Sequence, residues 1–228
     1  NETGVVQPIE SIAQACRDRG TLFHTDAVQS LGKLPLNLRL FHAVSAAAHK
    51  FHGPKGVGFL YVESGLPLTP CLHGGAQENS RRPGTENAAA IAAMAVAASF
   101  SLEKLTSGEP ERIGRLRDDL ESSLACVWPG CVINGLKAQR LPNTCNVRFP
   151  GVSSEDMLMC LDLEGIAASS GAACMVGSIQ PSHVLLAMGQ SRAEATEVVR
   201  FSLGSNSTSE SIDRTLSALA NIRSRLAP

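Results

Sequence analysis

Apolar positions recur at helical spacing along several stretches of the chain and gather in short runs between them. Ile9, Ile12, Ala13 and Cys16 fall on one face of residues 8–19, with Pro8 at the start and Gly20 as a stop, which predicts an amphipathic helix. Residues 21–24 predict a short strand followed closely by Asp26. Residues 42–48 and 58–62 predict two more strands, separated by the Gly/Pro/Lys-rich segment 52–56. Strand, helix, strand order points to an α/β layer with a mostly parallel sheet. In such sheets ligands sit beyond the carboxyl ends of the strands, where Asp26 and Lys50 fall. A long helix fits 85–104, and Ile113, Leu116, Leu120 and Leu124 stripe another over 110–126. Strands at 131–134, 144–149, 166–169 and 198–203 then mix with helices at 154–163, 181–188 and 208–226. Ser153 or Ser154 caps the first of these helices, and Ile212, Leu216, Leu219, Ile222 and Leu226 stripe the last. The second half therefore has α+β character, and the predicted domains are 1–105 and 106–228.

Composition narrows the classes. With 228 residues, 43% hydrophobic and 18% charged, the chain is an ordinary globular sequence, which removes disordered, fibrous and coiled-coil readings. A formal net charge of −1 provides no basic field for a nucleic-acid backbone or an anionic membrane surface. The small-apolar stretch 88–98 is too short to cross a bilayer, and no signal-peptide pattern is present. The first residues, Asn-Glu-Thr-Gly, read as a turn, and the chain is expected to be the C-terminal part of a longer protein. Seven cysteines stand at 16, 71, 126, 131, 145, 160 and 174, an odd number with no C-x-x-C pair. That argues against a disulfide framework or zinc ribbon and for a reducing, cytoplasmic location. Cys16, Cys126 and Cys160 fall on apolar stripes and read as small core residues.

Four segments combine polar side chains with small residues. In His24-Thr-Asp-Ala-Val-Gln-Ser30, Asp26 and Gln29 can face a bound heterocycle, or Asp26 can cap a helix. In 48–58, Lys50 beside His49 is either an amine nucleophile with a depressed pKa or a surface lysine at a strand end. His49 and His52 have no further cluster to make a metal site, and the glycine spacing matches neither a Walker loop nor a dinucleotide fingerprint. In 73–87, Gly84-Thr85 opens the long helix, as an anion site or as a plain cap. In 168–185, Cys174 lies among small residues and glycines rather than on an apolar stripe. It is the cysteine placed to react.

In order along the chain, Asn1-Glu-Thr-Gly, His24-Thr-Asp-Ala-Val-Gln-Ser, His49-Lys-Phe-His-Gly-Pro-Lys-Gly, Arg81-Arg-Pro-Gly-Thr-Glu-Asn and Ser169-Ser-Gly-Ala-Ala-Cys closely resemble the cysteine desulfurases. Those are the NifS/IscS-like enzymes of the class-V aminotransferases, which use pyridoxal 5′-phosphate (PLP). Pro181-Ser-His-Val-Leu-Leu-Ala-Met-Gly and Arg200-Phe-Ser-Leu-Gly extend the resemblance to the last helix. It implies the C-terminal part of a PLP fold type I large domain over 1–105 and the small α+β domain, carrying the cysteine loop, over 106–228. By resemblance Lys50 forms the Schiff base and moves the Cα proton. Asp26 pairs with the pyridinium nitrogen and makes the ring an electron sink. Gln29 and Asn1 bond the phenolic oxygen, and His49 helps hold the cofactor. Thr85 reaches the phosphate in the partner subunit of a homodimer. Arg200 clamps the substrate carboxylate. The implied reaction converts L-cysteine to L-alanine and leaves a persulfide on Cys174 for a sulfur-acceptor or scaffold protein in iron–sulfur cluster or thiocofactor assembly. A non-catalytic scaffold module of the same ancestry and a related PLP lyase, such as a selenocysteine lyase, share much of the pattern. Ala47, His52 and Ala172 replace a serine, an aromatic residue and a serine common in the family.

Overall fold

The computed structural model describes residues 1–170 and 181–226. Two compact units make up the chain: Pro8–Ser107, and Gly108–Pro228 together with Asn1–Gln7. The opening strap thus packs with the C-terminal unit, a pairing that chain order does not reveal.

In the first unit α1 (Ile9–Asp18) buries Ala13 and ends where Gly20 turns left-handed, with φ +63°. The Thr21 amide donates back to the Cys16 carbonyl at 2.9 Å and the Gly20 amide to that of Arg17 at 3.0 Å. This closure uses Thr21 to finish the helix. β1 is therefore His24–Asp26, three residues later than the apolar run suggests. β1 pairs in parallel with β2 (Ala43–Ala47), which pairs antiparallel with β3 (Gly58–Val62). One of these two pairings is parallel, against the mostly parallel sheet expected. Ala13, Ala27, Phe41 and Val44 form one core cluster, and Ala46, Ala48, Phe51 and Ala97 another. The single turn α2 (Gln77–Ser80) has left-handed backbone at Glu78 and Asn79. α3 (Ala88–Thr106) starts three residues past Thr85, because Asn87 is its cap: the Asn87 Oδ1 accepts from the Ala90 amide at 3.1 Å. At 19 residues, α3 is longer than the expected 88–98 stretch. It is long and apolar enough to cross a membrane, a property shared with core helices of soluble proteins, so the length argument does not hold. Ile91, Val96, Phe100 and Leu102 are exposed along it.

The second unit contains α4 (Glu109–Val127), β4 (Val132–Ile133), β5 (Thr144–Arg148), α5 (Ser154–Leu163), α6 (His183–Ala187), α7 (Arg192–Ala195), β6 (Val198–Ser202) and α8 (Ser209–Leu226). The antiparallel sheet runs β4-β5-β6. Cys145, Val147 and Phe149 join Leu120, Leu124, Met157, Leu161, Leu219 and Ile222 in its core, where Trp128 meets Phe149 edge-on at 5.0 Å. Ser153 caps α5. The strand expected at 166–169 shrinks to one bridge, Ser169 with Arg200. The reason repeats the end of α1: Gly165 is left-handed, and the Ile166 amide donates to the Leu161 carbonyl at 2.8 Å. Cys126 is exposed rather than core, since it lies about 200° around α4 from Leu124. Cys16 and Cys160 are half-buried, and among the described residues all six cysteines are free.

The alternate positions of β5, Thr144 and Asn146, are covered by the strap. The Leu141 amide donates to the Gly4 carbonyl at 2.7 Å, and the Val6 amide to the Gln139 carbonyl at 2.9 Å. Gly4 is left-handed (φ +77°), and a Cβ there would lie 2.8 Å from the Thr144 Cβ, so only glycine allows this approach.

Candidate active site

In the first unit, Asp26 and the turn that carries Lys50 lie at the carboxyl ends of two adjacent parallel strands. Asp26 is the last residue of β1 and pairs in register with Ser45 of β2. Its Oδ1 accepts from the Val28 amide at 2.8 Å, which closes a turn and starts no helix. β2 runs on into a 3₁₀ turn, Ala48–Lys50, that ends in His49 and Lys50, both exposed. The Ala48 carbonyl accepts from the amides of Phe51 and Gly53 at 3.0 and 2.8 Å, fixing the turn after the lysine. His52 within it adopts the left-handed backbone that favours glycine (φ 69°).

Gln29 is half-buried in the turn after β1. Gly32, at φ +76°, brings that turn against the Lys50 turn: a Cβ on it would sit 3.3 Å from the Phe51 Cβ and 3.1 Å from the Ser101 Cβ. Its neighbour Lys33 was not among the sequence candidates. The Lys33 Nζ donates to the Gln29 carbonyl at 2.9 Å. Burial, and next the charge of Lys50, lower the Lys33 amine from 10.5 to about 8. The sequence signal is the Gly32-Lys33 pair, one residue past Gln29-Ser30, which carries no chemistry until the turn folds. Thr85 is exposed in the loop before α3 and does not open the helix, which corrects the helix start expected at Gly84-Thr85.

The second unit holds Asn1 and Arg200. Arg200 lies on β6, and its Nη1 donates to the Asn1 carbonyl at 2.7 Å. Its main chain pairs with Ser169, amide to carbonyl at 2.6 and 3.1 Å. Asn146, buried on β5, is the register partner of Arg200. Cys174 lies outside the described residues. Among the described residues no group of three His, Cys, Asp or Glu side chains could hold a metal ion.

Residues 1–215 match the class-V aminotransferase family. The chain is 45% identical over 228 residues to the cysteine desulfurase NifS of Azotobacter vinelandii, covering 99% of this chain and 56% of that protein. It is 39% identical over 226 residues to the cysteine desulfurase IscS of Clostridium botulinum, covering 97% and 57%. Among solved structures, a NifS-like protein from Rickettsia africae superposes with a TM-score of 0.88 at 32% identity, over 98% of this chain and 59% of that one. The chain thus spans a little over half the length of these relatives. The fold is that of NifS-like, fold type I proteins, and with the family match running through both units, the chain belongs to the class-V aminotransferase family.

Proposed function

We propose that this chain is the C-terminal portion of a PLP-dependent cysteine desulfurase that converts L-cysteine to L-alanine and passes the sulfur to an acceptor or scaffold protein in the cytoplasm. The observation that carries the reading is a carboxylate and an accessible amine, Asp26 and Lys50, at the carboxyl ends of two adjacent parallel strands. This donor set fits the cofactor. Lys50 offers an exposed amine to an aldehyde, whereas the Lys33 amine is occupied by the Gln29 carbonyl. When bound, PLP supplies an electron sink for the Cα–H bond of the amino acid.

Each residue then has a task. Lys50 holds the cofactor covalently and carries the proton at Cα. The Asp26 carboxylate keeps a proton on the ring nitrogen. Gln29 and Asn1 bond the phenolic oxygen, and His49 supports the ring. Thr85 contacts the phosphate across a homodimer. The guanidinium of Arg200 takes the substrate carboxylate through its planar fork. The Cys174 thiolate accepts the sulfur. The proposal concerns the full-length protein, of which relatives carry a longer chain.

Borohydride reduction of the full-length, PLP-loaded protein followed by peptide mapping should find the pyridoxyl group on Lys50. A label on Lys33 or Lys55 instead overturns the assignment.

A further inference from the structure

The second unit buries a set of polar side chains where its sheet meets the strap. Glu2, Asn134 and Ser182 are each 5% exposed and Asn146 is fully buried. They are bonded to one another. The Asn134 Nδ2 donates to the Asn146 Oδ1 at 2.7 Å, and the Gln190 Nε2 donates to the Asn134 Oδ1 at 2.6 Å. The Asn146 Nδ2 donates to the Glu2 carbonyl at 3.2 Å. The Ser182 hydroxyl, which also caps α6, donates to the Glu2 carboxylate.

Burying polar groups costs free energy that apolar packing at the same positions would avoid, even when most bonds are made. Here the Gln190 Oε1 is buried with no hydrogen-bond partner among the described residues, so the cluster is not optimised for stability alone. What it does achieve is to fix the backbone of the strap. Glu2 is held through its carbonyl and its carboxylate, on the two sides of the same residue. The carbonyl of the preceding residue, Asn1, is the acceptor for the Arg200 guanidinium at 2.7 Å. Asn146 and Arg200 are direct neighbours across β5 and β6. A shift of the strap therefore moves the group that orients Arg200.

We propose that Asn146, with Ser182 and Glu2, is a positioning element for Arg200, setting the plane of the guanidinium that receives the substrate carboxylate. This rests on the reading of Arg200 as the carboxylate clamp. Bidentate recognition is demanding because two N–H groups must meet two oxygens at once, so a guanidinium rotated out of plane loses one of them. The loss falls on substrate binding more than on the chemical step.

The test uses the full-length, PLP-loaded protein with three variants. Arg200→Lys examines the clamp itself. Asn146→Leu removes the bond to the strap at similar volume, and Ser182→Ala cuts the bond to the Glu2 side chain. Arg200→Lys should raise KM for L-cysteine. Asn146→Leu should raise it about tenfold with kcat within about twofold of the parent, a uniform-binding signature. Binding of L-cysteine methyl ester, which lacks the carboxylate, should be unchanged when followed by cofactor absorbance. In the absence of substrate, phenylglyoxal should modify Arg200 faster in the variant than in the parent. If Asn146→Leu does not fold, Ser182→Ala decides, with an expected rise of about threefold in KM for cysteine alone. A KM that stays put in the folded network variant while Arg200→Lys raises it overturns the positioning role and leaves the clamp standing. Equal losses for cysteine and its ester make the network merely structural and also overturn the inference. An unchanged KM in Arg200→Lys removes the clamp reading itself.

Discussion

Replacing Lys33 by methionine should stabilise the first unit at neutral pH, although it removes a hydrogen bond. In the folded chain the Lys33 amine is lowered from 10.5 to about 8 by burial and then by the charge of Lys50. That depression corresponds to roughly 3 kcal/mol against folding with the ammonium charged. Methionine has nearly the same length and no charge, and its loss of the bond to the Gln29 carbonyl costs about 1 kcal/mol. The expected net gain is about 2 kcal/mol at about pH 7. Its pH dependence carries the sign. Between about 8 and 10.5 the unfolded chain binds more protons at this residue than the folded chain, so the stability of the parent rises with pH across that window. The advantage of the variant should therefore fall below about 1 kcal/mol by about pH 9.5. Urea unfolding followed through Tyr61, the single tyrosine and part of β3, reads the first unit, while the single tryptophan, Trp128, reads the second as a control. A variant less stable than the parent at about pH 7, or a gain equal at both pH values, refutes the reasoning.

Glu121→Gln should cost about 3 kcal/mol by the Trp128 signal, because it leaves the buried Arg140 guanidinium without the two-pronged partner now 2.6 and 2.7 Å away; a loss under about 1 kcal/mol would contradict this. In the full-length protein, subunits with Lys50→Ala mixed with subunits with Thr85→Ala should recover activity, since one site per dimer would then keep both groups; mixed dimers without recovery would mean each site is built within one chain. Cys174→Ser should keep bound PLP and its absorbance while turnover of cysteine to alanine disappears, and undiminished sulfide release would replace the persulfide route with the lyase reading.

Much of the architecture was legible because burial repeats at the period of the element. The stripe Ile113, Leu116, Leu120 and Leu124 places α4 within a residue of its observed bounds, and 154–163 and 58–62 match α5 and β3. Asp26 and Lys50 were recognisable as strand-end residues from local order alone. The misplaced strands have one common cause. At Thr21 and Ile166 an apolar or β-branched stretch follows a glycine, and a left-handed Gly20 or Gly165 turns the next amide back onto the helix. A local propensity reading counts that residue for the strand, whereas the helix end has already taken its hydrogen bond. Thr85 was misassigned for a similar reason: Asn87, two residues on, caps α3 with a better-placed side chain.

Residue identity and local spacing singled out an amine after a strand and a carboxylate at its neighbour's end as candidates, whereas the arginine on a late strand came from the family resemblance. Tertiary structure alone decided what surrounds them. That Lys33 lies under the charge of Lys50, that residues 1–7 close over β5, and that Asn146 reaches Glu2 are facts about positions 17, more than 100 and 144 residues apart, respectively. No pattern of neighbours along the chain encodes such distances. They follow from the packing of whole elements, where a glycine such as Gly4 or Gly32 earns its place by what approaches it through space.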